Sequence, residues 1–344
     1  MKQLELSRNY PSFLVLPVTD RCYCHCVMCG IWKKESSRDI SLSVIKTVLT
    51  DLSLAKNLKY INITGGEPLL YSKLDKIIEI ICHSCSNLRE LSINTSGIPA
   101  DICQSTLTKI LPLIPAHARF VLTISLDGDL ELHNRIRGNS GAMQELQTFL
   151  GNIRNYFNLS DNLSLHVNTT ISNKNIAHPD KIALALSKIN IPFTITCAAY
   201  NKLYLNNKSS VSRISSINEW EYFLDSLKKS LYSYKIKLIR SNDHFLHMLS
   251  KILAGEKRPY PCVFAENGIF LDIDTQLYPC GTSENMCYGS ILDHTFEELF
   301  FSETARIIRS QLREEICSSC ISNSYYAHSS QLILELLKVR NIAR

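Results

Sequence analysis

The residues best suited to chemistry are cysteines, and they come in two groups. In the first, Cys22-Tyr-Cys24-His-Cys26-Val-Met-Cys29, the thiols of Cys22, Cys26 and Cys29 are separated by three and then two residues. On one loop, that spacing suits three thiolate ligands of an iron–sulfur cluster. Three ligands for four irons leave one iron open, able to bind and reduce a substrate rather than only relay electrons. Zinc is the competing occupant, but it ordinarily takes four ligands, commonly from two paired-cysteine knuckles. Cys24 falls outside the spacing and reads as a bystander. The second group, Cys262, Cys280, Cys317 and Cys320, supplies four thiols, enough to saturate a further four-iron cluster or to hold a structural zinc. Cys287 is a spare that would serve if one of these four does not. Cys82-His-Ser-Cys85 has knuckle spacing but no second pair nearby, and it reads as structural.

Positioning these groups requires regular elements, and the apolar patterning supplies them. Strands are expected over 13–18, 60–64, 88–93, 119–126, 163–171 and 193–197, with helices between them from a Ser41/Ser43 cap through Leu52 and over 73–81, 105–111, 142–157 and 180–187. This alternation predicts βαβ units around a parallel sheet. Six units are too few for a closed eightfold barrel, so the expected fold is α/β: a partial (β/α)6 TIM-like barrel over 1–236, followed by a small iron–sulfur domain over 237–344. In parallel sheets the loops at the C-terminal strand ends carry the site. The cysteine loop, Gly65-Gly66-Glu67-Pro68, Asn94-Thr95 and Ser125-Leu-Asp127-Gly128 all fall at such ends. After helices over 219–234 and 244–253, a hairpin is expected at 269–278. Helices over 296–309 and 330–339 complete the chain.

Composition narrows the class. The 344 residues are 45% hydrophobic and 20% charged, as in an ordinary globular protein able to bury a sizeable core. A formal net charge of +5 without a long Lys/Arg run gives no reason to expect nucleic acid. No run is apolar and long enough to span a bilayer, and Met-Lys-Gln-Leu-Glu does not open a secretory signal, so the expected location is the cytoplasm. Thirteen cysteines in a reducing compartment point to metal rather than to disulfides.

Together, the Cys22/Cys26/Cys29 triplet, the Gly65-Gly66-Glu67-Pro68 turn, and His133 to Gly138 after Ser125-Leu-Asp127-Gly128 resemble the radical S-adenosylmethionine (SAM) superfamily. Asp274-Thr-Gln-Leu-Tyr-Pro-Cys280 with Tyr288-Gly289-Ser290-Ile291 is similar to the auxiliary-cluster extensions called SPASM and twitch, the twitch form being favoured because no cysteine follows Cys320. Thr275 stands where that hairpin usually has glycine, so a different turn is expected. The resemblance implies a SAM-binding [4Fe-4S] cluster, an auxiliary [4Fe-4S] cluster and S-adenosyl-L-methionine as cofactors, with an electron donor such as flavodoxin or ferredoxin. It places the methionine amino group on the acceptors of Gly65, Gly66 and Glu67, and the ribose on Ser125 and Asp127, with Thr95 a further candidate. Arg137 would pair with the methionine carboxylate, unless it forms a surface ion pair. Met28 would pack on adenine, and His133 reads as structural. The implied reaction is reductive SAM cleavage and abstraction of a substrate hydrogen atom, the auxiliary cluster handling the electron. About twenty residues precede Cys22, fewer than a peptide-binding domain needs, which favours oxidation of a small metabolite. The alternatives are maturation of a ribosomally synthesised peptide and, in another class, a non-catalytic metal-binding scaffold.

Overall fold

The computed structural model describes residues 9–321 apart from 36, 202, 208–213, 215, 239, 259–261, 266 and 284. Six strands run parallel and in chain order: β1 (Phe13–Pro17), β2 (Tyr60–Thr64), β3 (Glu90–Thr95), β4 (Arg119–Ser125), β5 (Leu163–Ile171) and β6 (Phe193–Cys197). The helices α1 (Leu42–Thr50) and α2 (Leu52–Asn57) connect β1 to β2, and α3 (Leu74–Ser84) connects β2 to β3. Then α4 (Ala100–Ile110) leads to β4, α5 (Leu130–Arg137) and α6 (Ala142–Ile153) to β5, and α7 (Pro179–Ile189) to β6. The sheet is open, with β6 at one edge, as a partial barrel requires.

Side-chain alternation explains the curvature and the lumen. Ile61, Ile63, Leu91, Ile93, Phe120, Leu122 and Ile124 point to the helices and share one apolar core with Ile77, Ile78, Ile81 and Leu107. Full burial of each such side chain contributes roughly 1.5–3 kcal/mol. The intervening residues Asn62, Asn94, Thr123, Asn168 and Thr196 face a common cavity instead, because successive residues of a strand point to opposite faces.

Beyond β6 come α8 (Ile217–Ser233) and α9 (Arg240–Leu253), then β7 (Gly268–Leu271), β8 (Gln276–Tyr278) and β9 (Gly289–Ser290). β7 lies parallel to β1, with Phe13 opposite Gly268, while β8 and β9 add antiparallel. The sheet therefore continues across the division expected near 236, giving nine strands in one sheet among the described residues.

Several expected elements are cut differently. The first expected helix is two, because the Asp51 side chain accepts from the Ser53 and Leu54 amides and starts α2. Likewise 296–309 splits into α10 (Phe296–Phe300) and α11 (Glu303–Gln311), with Ser302 capping the second. The hairpin turn is not made differently: Thr275 itself adopts the left-handed conformation, at φ 68°. Asp272 Oδ1, accepting from the Gln276 amide at 2.8 Å, and Ile291 N–H, donating to the Thr275 carbonyl at 3.1 Å, hold it there. The helix expected over 330–339 lies outside the described residues.

Candidate active site

The first cysteine loop leaves the C-terminal end of β1 and is strapped on two sides. The amides of His25 and Val27 donate to the carbonyls of Arg137 and Ile136 at 2.8 and 2.9 Å, which ties the loop to the end of α5. On the other side Gly30 N–H donates to Leu205 O at 2.7 Å, and Asn207 Nδ2 donates to Met28 O at 2.9 Å. So held, Cys22, Cys26, Cys29 and Met28 line one cavity of about 340 Å³ with Gly65, Gly66, Thr95, Ser125 and Arg137. Cys24 also lines it, its amide 3.4 Å from Cys22 Sγ. A hydrogen bond from Cys24 together with burial raises the Cys26 pKa, and burial pushes Cys29 up to about 12.

The turn after β2 packs directly on this loop. Gly66 N–H and Glu67 N–H donate to the carbonyls of Thr19 and Arg21, both at 2.7 Å. A Cβ on Gly66 would sit 2.3 Å from Arg21 O, and one on Gly65 2.5 Å from Thr19 O, so only glycine permits the approach. The Glu67 carboxylate, however, turns away from the cavity into the protein, contrary to the expectation that it meets the ligand's amino group. One oxygen accepts from Thr95 Oγ1 (2.6 Å) and Leu69 N–H (3.3 Å), the other from Ser96 N–H (2.7 Å) and Ser96 Oγ (2.6 Å). Burial raises its pKa and these four donors oppose the rise. Glu67 thus clamps the β2 turn to the end of β3. Thr95 is committed to the same clamp, since its hydroxyl also accepts from Gly97 N–H at 2.9 Å.

Asp127 is likewise turned inward. Fully buried, it stands 2.7 Å from Arg137 Nη2 and accepts from Thr170 N–H at 3.0 Å. The carboxylate expected on the ribose is instead the counter-ion of Arg137, leaving Ser125 as the polar group of that strand end on the cavity. Arg137 is no surface ion pair, being 9% exposed. Burial is the largest influence and works against its charge, but Asp127 together with Cys26 and Cys24 outweighs it and the pKa is raised. Its Nη1 lies 3.7 Å from Cys26 Sγ, and among the described residues its Nε has no partner. His133 is buried and accepts from Asp127 N–H at 3.2 Å, and burial lowers its pKa.

The second cysteine group assembles on an adjoining cavity. Cys262, Cys280, Cys317 and Cys320 all line a space of about 290 Å³ together with Asn62, Asn94, Thr123 and Asn168 of the barrel strands. A hydrogen bond from Cys317 lowers the Cys262 pKa to about 6, while burial pushes Cys280 up to about 11. Cys287 is elsewhere, its Sγ 3.4 Å from Gln276 Oε1 and 3.6 Å from Leu277 O. Thr64, Asn94, Ser125, Thr196, Ala199 and Leu205 line both cavities, so the two thiol groups lie on adjoining cavities.

Among the described residues no three His, Cys, Asp or Glu side chains gather as they would about a single metal ion. The donor sets are soft thiols alone, the chemistry of iron–sulfur ligation, and the unpartnered Arg137 Nε beside the first set fits an anionic ligand. Sequence reasoning missed Tyr204, whose hydroxyl donates to Gly65 O (2.6 Å) and accepts from Gly65 N–H (2.8 Å), pinning the turn from the loop after β6. It also missed the Asn/Thr lumen, whose signal was the alternation Ile61-Asn62-Ile63-Thr64.

Comparison with known proteins agrees with this arrangement. Residues 16–178 match the Radical SAM superfamily and residues 262–321 an iron–sulfur cluster-binding domain, SPASM. An uncharacterized protein of Methanocaldococcus jannaschii is 25% identical over 284 residues, covering 81% of this chain and 88% of that protein. A cysteine-type anaerobic sulfatase-maturating enzyme of Clostridium novyi is 26% identical over 336 residues, covering 90% and 84%. Among solved structures, native anSMEcpe with bound AdoMet and Cp18Cys peptide superposes with a TM-score of 0.61 at 17% identity, covering 96% of this chain and 99% of that one, a likeness of fold. No helix among the described residues is long and apolar enough to cross a membrane.

Proposed function

Because the chain belongs to the radical SAM superfamily and carries a SPASM iron–sulfur domain, we propose that it oxidises a side chain of a peptide or protein substrate. The observation that carries this reading is that the two thiol groups line adjoining cavities with wall residues in common. A substrate carbon placed there is reached from both sides. The sulfatase-maturating relative, alike over 90% of this chain, favours a peptide over the free metabolite expected from the short N-terminal stretch. Residues 1–236 carry the initiating chemistry, and residues 237–344 carry the auxiliary group.

In this reading Cys22, Cys26 and Cys29 hold the first [4Fe-4S] cluster, and Cys262, Cys280, Cys317 and Cys320 the auxiliary one. When bound, the clusters and S-adenosylmethionine would supply one-electron radical chemistry, with removal of a substrate hydrogen atom and a sink for the substrate's second electron. Arg137 meets the methionine carboxylate in a charge-assisted contact, its orientation set by Asp127. The carbonyls of Gly65 and Gly66 accept from the amino group, Ser125 faces the ribose, and Met28 packs on adenine. Glu67 and Tyr204 position the glycine turn without touching the ligand. A small carrier such as flavodoxin or ferredoxin delivers the electron.

The test is anaerobic reconstitution with iron and sulfide, followed by incubation with SAM, dithionite and either peptides encoded by neighbouring genes or candidate metabolite alcohols. The expected result is peptide-stimulated 5′-deoxyadenosine and a peptide lighter by two hydrogens. Stimulation by a metabolite alone would return the assignment to small-molecule oxidation, and bound zinc with no SAM cleavage would leave a scaffold.

A further inference from the structure

The cavity lined by Cys262, Cys280, Cys317 and Cys320 has no charged side chain in its described lining besides these thiols. Apart from its four cysteines, its described lining is Asn, Thr, Ser, Tyr and apolar residues, with no Asp, Glu, Lys, Arg or His. Most of its polar groups are already committed. Tyr204 is taken up by Thr64 and Gly65. Asn168 bonds Thr170, Thr194 and Thr196. Asn62 Nδ2 donates to Ser92 Oγ at 2.9 Å, and Asn94 Nδ2 donates to Asn62 Oδ1 at 3.4 Å, which orients both amides. Thr123 differs. It is 5% exposed, sits opposite Asn94 in the β3–β4 register, and its Oγ1 has no hydrogen-bond partner among the described residues.

A buried hydroxyl facing a cavity without a partner is a vacancy for a hydrogen-bonding ligand group. A charged group entering the same space would lose its hydration and find no charged side chain in the described lining apart from the four thiols. We infer that Thr123, supported by Asn94 and Asn62, selects an uncharged hydrogen-bonding group: the substrate side chain presents a hydroxyl or a carboxamide, not a carboxylate or an ammonium. Thr123 is thereby a specificity residue. The inference rests on the reading that substrate enters between the thiol groups.

The experiment uses the reconstituted, unreduced protein with SAM bound, so that binding is read without turnover. Saturation-transfer NMR compares blocked pentapeptides, acetyl-Gly-Gly-Xaa-Gly-Gly-amide with Ser, Asn, Asp or Lys at the centre, and free propane-1,2-diol against lactate. The Ser and Asn peptides are expected to bind at least about tenfold more tightly than the Asp and Lys peptides. Thr123→Val should weaken the Ser peptide by about three- to tenfold and leave the charged peptides unchanged. Thr123→Ser should restore binding, with iron content and circular dichroism confirming that both variants fold. Equal binding of the Asp or Lys peptide overturns the inference. So does an unaltered Ser peptide in Thr123→Val, which would mean that Thr123 meets only water, and so does failure of every neutral probe to bind. Diol binding above lactate with no peptide binding upholds the neutral selection and overturns the peptide reading instead.

Discussion

The two cysteine groups reach adjoining cavities by opposite routes. Cys22, Cys26 and Cys29 lie within one loop, and the covalent chain itself keeps them together. Cys262, Cys280, Cys317 and Cys320 span almost sixty residues and meet only because β7 and β8 extend the barrel sheet past β1. The first group is also enclosed by backbone hydrogen bonds from three directions: α5, the β2 turn and the loop after β6. A short loop braced in this way preorganises its thiols before any metal arrives. The second group depends on the packing of distant segments, so any metal held there would couple more closely to local folding.

Removing one thiol from each group divides their roles most sharply. Cys26→Ala should abolish 5′-deoxyadenosine formation and leave about four irons per chain in place of about eight. Cys280→Ala should lose as much iron yet still cleave SAM, while failing to release oxidised product. A Cys280 variant that also stops cleaving SAM would erase the distinction.

The brace around the first loop should be costly to break. Arg137→Gln leaves the Asp127 carboxylate buried without its partner, and a loss of about 3–5 kcal/mol is expected in anaerobic urea unfolding. Adding Asp127→Asn should return part of that loss, because the two side chains act as a unit. If the single variant unfolds like the parent, the pair does not hold the loop.

In the auxiliary region the sensitive point is the hairpin. Burial pushes the Asp272 carboxyl up to about 6. A folded-state pKa above the unfolded value means that the fold binds the proton more tightly. The contribution is therefore fully present at low pH and is lost as pH rises through about 6. Amide exchange in β7 and β8 should accelerate over that rise, and Asp272→Asn should remove the slope while keeping an acceptor for Gln276 N–H. A smaller effect is expected from Thr275→Gly, which relieves a left-handed threonine and should stabilise the protein by about 1 kcal/mol, visible as a raised melting temperature.

Much of the barrel was legible beforehand because a parallel strand buried on its helix side announces itself as closely spaced β-branched and aromatic residues. The six strands occur where the patterning places them. Cys287 stood as a spare by count alone, and its distance from the other thiols became evident only once Gln276 and Leu277 were seen beside it. The roles of Glu67 and Asp127 were misread for a common reason. Both lie at strand ends that face the site, but their carboxylates satisfy donors on neighbouring strands and helices, and such partners are invisible in a linear pattern.

By itself, the amino-acid sequence determined the thiol donors on offer, the strand–helix alternation and the glycines that let the β2 turn approach the cysteine loop, since these depend on residue identity and short-range spacing. Only the tertiary structure decided which carboxylates face inward, that Tyr204 pins Gly65, and that Thr123 Oγ1 has no hydrogen-bond partner among the described residues. Those outcomes depend on how residues tens to more than a hundred positions apart share a few ångströms of buried, low-dielectric space.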